Sequence, residues 1–305
     1  HNVTGNTNPA TYGGNDITNV TTFANVYGTI VNTLTSNGAK GVVCTIPSVT
    51  AIPYFTTVPY APLSPTALGG SANISALNAQ LYGPLKQALT AFGAGSRINL
   101  LSKTEGNPLL IKDESLPNLS AQLTAAFTPT LGAPTAAFYG SVFGQARHAT
   151  ADDLVLLTTK GVIGTAPTGV PAPLDKYGVT YPLQDQHILI PSEQDAIAAA
   201  VASYNSSIKT IAAAKGLAVA DMNVIMKQLT SGLRADNGTL YTADYFSGGA
   251  SEFKVLFSLD GVHPNARGYA VIANEIIKVI NSHYNAKLPV LNPNNYPGIH
   301  IVPSN

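Results

Sequence analysis

The chain has 305 residues, enough for one large domain or two modest ones around a substantial core. Charged residues make up only 10%, the formal net charge is zero and no Lys/Arg cluster occurs, which argues against nucleic acid and anionic membranes as partners. With 45% apolar residues the chain is not disordered; no apolar run approaches the ~20 residues of a membrane span, and one cysteine excludes a disulfide framework.

The opening, "HNVTGNTNPATYGGND", reads as the middle of a loop without a signal peptide, so the expectation is that the numbering starts after something has been removed. The next residues, "DITNVTTFANVYGTIVNTLTSNGAKGVVCTIPSV", carry Phe23, Val26, Tyr27, Ile30, Val31 and Leu34 at helical spacing, with Asn37-Gly38 as the stop. The continuous apolar run from Gly41 to Pro47 then predicts a doubly buried strand, with Cys44 packed inside as a small hydrophobe. Residues 50 to 190 differ in character. They hold Pro-rich turns, a predicted helix over Leu77–Phe92, the strand-like "RINLLSKTEGNPLLIKDES" and a predicted helix over Thr150–Leu157. A connection of this length is an inserted subdomain, since structureless loops seldom exceed ~15 residues, and a lid or substrate wall is the expected role.

The chain then returns to helix and strand. Ser192 and Asp195 open a helix whose stripe is Ile197, Val201, Tyr204, Ile208 and Ile211; Gly216 closes it and Leu217 to Met222 read as a strand. A last helix runs from Pro264 to Tyr284 with Tyr269, Ile272, Ile276 and Ile280 on one face. The tail "AKLPVLNPNNYPGIHIVPSN" reads as an extended strap. Core segments 1–50 and 191–285, insertion 51–190 and strap 286–305 follow from this division. Two central parallel strands are few for a doubly wound sheet of about five or six, so the sheet looks incomplete.

In "FSLDGVHPNARGYAVIANEIIKVI", Gly261 permits a tight turn and Asp260 stands three residues before His263. A carboxylate placed so can hold the near ring nitrogen of the histidine and leave the far one free to take a proton from a hydroxyl. The plainer alternative is a capping Asp beside a helix-start His with no role, because D-x-x-H alone is short and common. The other histidines lack metal-ligand spacing: His148 and His187 read as surface or wall residues, and His283 and His300 are isolated. Asp152-Asp153 and Asp221 read as helix caps. Ser247 and Ser258 lie near the Asp-His turn but in no strained strand-to-helix elbow.

That final block resembles the last motif of the SGNH/GDSL hydrolases, and the wider pattern is similar to a Bacteroidetes-type GDSL-like lipase and esterase group. "GAKGVVCTIPSVTAIPYFTTVPY", "ATADDLVLLT", "SEQDAIAAAVASYNSSIKTIAAAKGLAVADMN" and "NAKLPVLNPNNYPGI" extend the resemblance over about residues 17 to 300. It implies an α/β, flavodoxin-like three-layer sandwich with a parallel sheet and a large insertion. It also implies hydrolysis of carboxylic esters without metal or organic cofactor, with Asp260 orienting and His263 as general base. The family's nucleophile is the Ser of an N-terminal G-D-S-L block, and "GDS" occurs nowhere in these residues. The G-x-N-D block, which supplies an oxyanion Asn, is matched in letters by Gly13 to Asp16. There it follows polar "TGNTNPATY" instead of a buried strand, so Asn15 reads as a coincidence.

The expectation is therefore the C-terminal part of a longer extracytoplasmic hydrolase that is periplasmic, secreted or lipid-anchored. A small-molecule ester would be its substrate, and an associated N-terminal fragment would carry the serine. A non-catalytic binding or surface protein on the same scaffold is the alternative.

Overall fold

The computed structural model describes residues 8–235, 238–245 and 254–299. The fold is mixed α/β and falls into two compact units: the contiguous stretch Val58–Ser192, and the segments flanking it up to Thr57 and from Glu193.

The discontinuous unit begins with helix α1 (Val20–Thr35). Asn19 caps it, its Oδ1 accepting from the N–H groups of Thr21 and Thr22, which satisfies donors that have no partner in a first turn. Only Val31 of α1 is fully buried, packed with Tyr27, Ala212 and Leu217. Val26, Ile30 and Leu34 of the expected apolar stripe are 55%, 51% and 70% exposed, so half of that stripe faces away from the core.

Strand β1 (Val42–Cys44) follows, and then the short helix α2 (Pro53–Thr56). The predicted burial of β1 on both faces is not observed. Val42 and Val43 are half-buried and Cys44 is exposed, and among the described residues β1 pairs with a strand on one edge alone.

The contiguous unit has its own core. Helices α3 (Gly70–Leu77) and α4 (Gly83–Ala91) are joined by a π-helical turn at Asn78–Tyr82, so helix starts earlier than Leu77. Strand β2 (Leu110–Lys112) precedes a hairpin of α5 (Ser120–Leu131) and α6 (Ala133–Phe143). A Cβ on Gly140 would lie 2.2 Å from Thr124 Oγ1 and 2.4 Å from the Ser120 carbonyl, so this crossing is close enough to admit only glycine. Strand β3 (Ala146–His148) pairs antiparallel with β2, and β4 (Leu154–Val155) with β5 (Ile188–Leu189).

The helix expected over Thr150–Leu157 is absent. The Asp153 carboxylate, instead of capping a helix, receives both terminal nitrogens of Arg147 at 2.6 and 2.7 Å and the Thr150 N–H, while Arg147 Nε donates to Asp113. The aromatic residues of "AAFYGSVFG" join this core: Tyr139 packs on Phe127 and Phe143.

Helix α7 (Pro191–Ala214) leads into β6 (Ala218–Ala220), which pairs parallel with β1 in the register Val42↔Ala218 to Cys44↔Ala220. Asn205 of α7 ties the sheet end in place, its side chain bonding both the N–H and the C=O of Ile46 at 2.7 and 2.8 Å. Of the expected α7 stripe only Ile208 is fully buried; the rest are half-buried. Helix α8 (Met222–Ser231) is capped by Asp221, as the sequence suggested, and the same carboxylate takes the Thr45 hydroxyl and Lys209. A hairpin of β7 (Leu233–Arg234) and β8 (Leu240–Tyr241) then leads toward α9 (Ala266–Tyr284).

Helix α9 buries Arg267, Gly268, Ala270, Val271 and Asn274, whereas Tyr269 of the expected face is 54% exposed. Beyond α9 the chain turns back along it. Asn281 exchanges two hydrogen bonds with the backbone of Leu288, and Asn274 does the same with Leu291.

Candidate active site

Asp260 and His263 meet in the turn that enters α9. His263 Nδ1 lies 2.6 Å from Asp260 Oδ2. An ionised carboxylate can only accept, so Nδ1 carries the proton and donates it, which leaves Nε2 as the basic nitrogen. The other carboxylate oxygen, Oδ1, accepts from the Ser258 hydroxyl at 2.6 Å and from the backbone N–H groups of Val262 and His263 at 2.9 Å each. The Ser258 hydroxyl, the His263 ring and these two amides hold the Asp260 carboxyl well below the usual carboxylate range.

The turn has a local explanation. Gly261 sits at φ +71°, a conformation that suits glycine, and its N–H donates to the Ser258 carbonyl. Ser258 N–H donates to the His263 carbonyl at 2.7 Å, closing the turn from the other side. Asn265 caps α9 by accepting from Gly268 N–H, and its amide reaches back to the Val255 and Phe257 carbonyls. The first turn of α2, just past the carboxyl end of β1, adds the Tyr54 N–H on the Gly261 carbonyl at 2.9 Å. The pair, the first turn of α2 and the start of α9 are thus fastened to one another. The side chains of His263 and Asp260 are 70% and 48% exposed, so the ring is open to approach.

Val262 and Pro264, on either side of His263, belong to the wall of a cavity of about 440 Å³. Its remaining wall is almost wholly apolar: Cys44, Pro47 and Ile52 after β1, Ile225, Met226 and Leu229 from α8, and Val271 and Ile272 from α9. A second groove of about 560 Å³, of mixed polar and apolar lining, runs along Lys209, Asp221 and Lys227 but is lined by neither Asp260 nor His263.

The other described histidines make contacts within the fold. His283 Nε2 is 3.1 Å from the Gly216 carbonyl, and His187 Nδ1 accepts from Gln184 N–H while burial lowers its pKa. His148 is buried instead of being a surface residue. Asn15 is exposed and follows a single 3-10 turn, Pro9–Thr11, with no strand before it among the described residues. Ser247 and His300 lie outside the described residues. Among the described residues no group of His, Cys, Asp and Glu has the arrangement of a metal site, and no helix is long and apolar enough to cross a membrane. What sequence reasoning missed is Ser258 as a partner of Asp260; its signal was the i, i+2 spacing of a hydroxyl and a carboxylate.

Comparison with protein-family models, curated proteins and solved structures gave no significant match to any of them.

Proposed function

We propose that the chain supplies the Asp-His half of a serine esterase of the SGNH type, acting on carboxylic esters. The observation that carries this reading is the bond from His263 Nδ1 to Asp260, which leaves Nε2 of an exposed ring free to act as a base. The nucleophilic serine belongs to a segment N-terminal to residue 1, associated with the chain. Its hydroxyl proton goes to His263 Nε2 as its oxygen attacks the acyl carbon; the protonated ring then returns that proton to the departing alcohol. Water repeats the sequence and frees the acid, with Asp260 stabilising the imidazolium at each stage. Two features support a missing neighbour. The outer edge of β1 has no strand partner among the described residues, and an apolar cavity lies between that strand and His263's neighbours.

The test is fluorophosphonate labelling of the natively expressed protein, mapped by mass spectrometry. Label is expected on a serine outside residues 1–305, and His263→Ala should slow its appearance about a hundredfold or more with the near-UV circular dichroism unchanged. Label on a serine within the chain would move the nucleophile into it. No label at all would remove the hydrolase reading and leave a binding protein.

A further inference from the structure

Asp260 is held by four donors, of which two are backbone amides supplied by any turn of this shape. One of the two side chains is His263 itself. The other is Ser258, whose hydroxyl lies 2.6 Å from Oδ1 while its backbone N–H holds the His263 carbonyl at 2.7 Å. A buried carboxylate would be fixed by packing; this one is 48% exposed and its partner ring 70%, so hydrogen bonds alone limit their rotamers. Donors to Oδ1 come from chain positions on both sides of Asp260, at 258 and at 262 and 263, and hold Oδ2 toward the imidazole. The Ser258 proton points at the carboxylate and not at the ring, which makes this hydroxyl a poor nucleophile and a good brace.

We infer that Ser258 is a positioning residue: its hydroxyl, bonded to Asp260 Oδ1, fixes the carboxylate so that Oδ2 holds His263 in the Nδ1–H tautomer. The catalytic consequence rests on the esterase reading above; the structural one does not.

The test uses the full 305-residue chain, labelled with nitrogen-15 at histidine, with long-range proton–nitrogen spectra assigned by His263→Gln. His263 should be predominantly the Nδ1–H tautomer in the parent and a mixture of tautomers in Ser258→Ala. Ser258→Thr and Ser258→Val, which differ only by hydroxyl against methyl, should divide the same way, Thr like the parent and Val like Ala. That pair decides the matter even where Ala perturbs folding. An unchanged tautomer in both Ala and Val variants would overturn the assignment. In the natively expressed enzyme Ser258→Ala should lower kcat on the order of tenfold at constant KM, with Thr restoring it. A tautomer shift without ester hydrolysis in the parent would leave the brace standing and the esterase reading fallen.

Discussion

His148 is 6% exposed within the core of the 58–192 unit, its Nδ1 accepting from Asn99 N–H and its ring 5.4 Å from that of Tyr82. Its Nε2 is buried with no hydrogen-bond partner among the described residues. Burial, aided by the Lys86 cation, pushes its pKa down to about 4. The folded ring therefore stays neutral where the unfolded one, near 6.5, begins to take up a proton. Stability is complete above pH 6.5 and falls as pH drops, by about 3 kcal/mol at pH 4. Urea unfolding of the parent and of His148→Leu across pH 4 to 7 should show the parent losing this much relative to the variant; parallel curves would refute it. At this scale the sequence was partly legible. Asp-Gly-x-His spelled out a turn that presents an imidazole, because glycine and the three-residue spacing are local. The burial of His148 depends on α4 and the 95–99 segment closing over β3, which no local pattern encodes.

Helix α9 sets the turn by how closely it approaches the chain before it. A Cβ on Gly268 would stand 2.2 Å from the Leu256 carbonyl and 2.9 Å from Pro264 Cβ. Gly268→Ala should thus cost about 1–3 kcal/mol by displacing the 256–257 segment, in spite of alanine's better helix propensity. A thermal midpoint at or above the parent's would mean that the segment yields without cost. The helices α1, α7 and α9 and both parallel strands were readable because periodicity and stop residues mark them. The α5–α6 hairpin was not: its crossing is made by Gly140 and Gly144 against Ser120 and Thr124, small residues that leave no apolar stripe, and Pro129 lies inside α5. The false helix at Thr150–Leu157 has the opposite cause. Asp153 makes a sound N-terminal residue on paper, yet the pull of Arg147 on a buried carboxylate outweighs a cap worth about 1 kcal/mol.

At the scale of the molecule, α1 is the helix whose apolar stripe is half uncovered: Val26, Ile30 and Leu34 are exposed among the described residues, and Cys44 on β1 is exposed in the same unit. Burying only one side of such a helix predicts association of the 305-residue chain when it is alone. Sedimentation should show self-association, relieved in a Val26→Gln, Ile30→Gln, Leu34→Gln triple variant whose unfolding midpoint stays close to the parent's, since exposed substitutions shift stability by about 0.5 kcal/mol or less. A monodisperse parent would mean that the stripe is harmless. The way the sheet is threaded also sets a timetable. Thr45 and Asp221, bonded to each other at the ends of β1 and β6, are 176 residues apart in the chain. At about 5–20 residues per second, a ribosome that has just made the first needs roughly 9–35 s to deliver the second. In that interval the contiguous 58–192 unit is synthesised in full and can begin to close its own core, while the edge of β1 that β6 will cover waits for its partner.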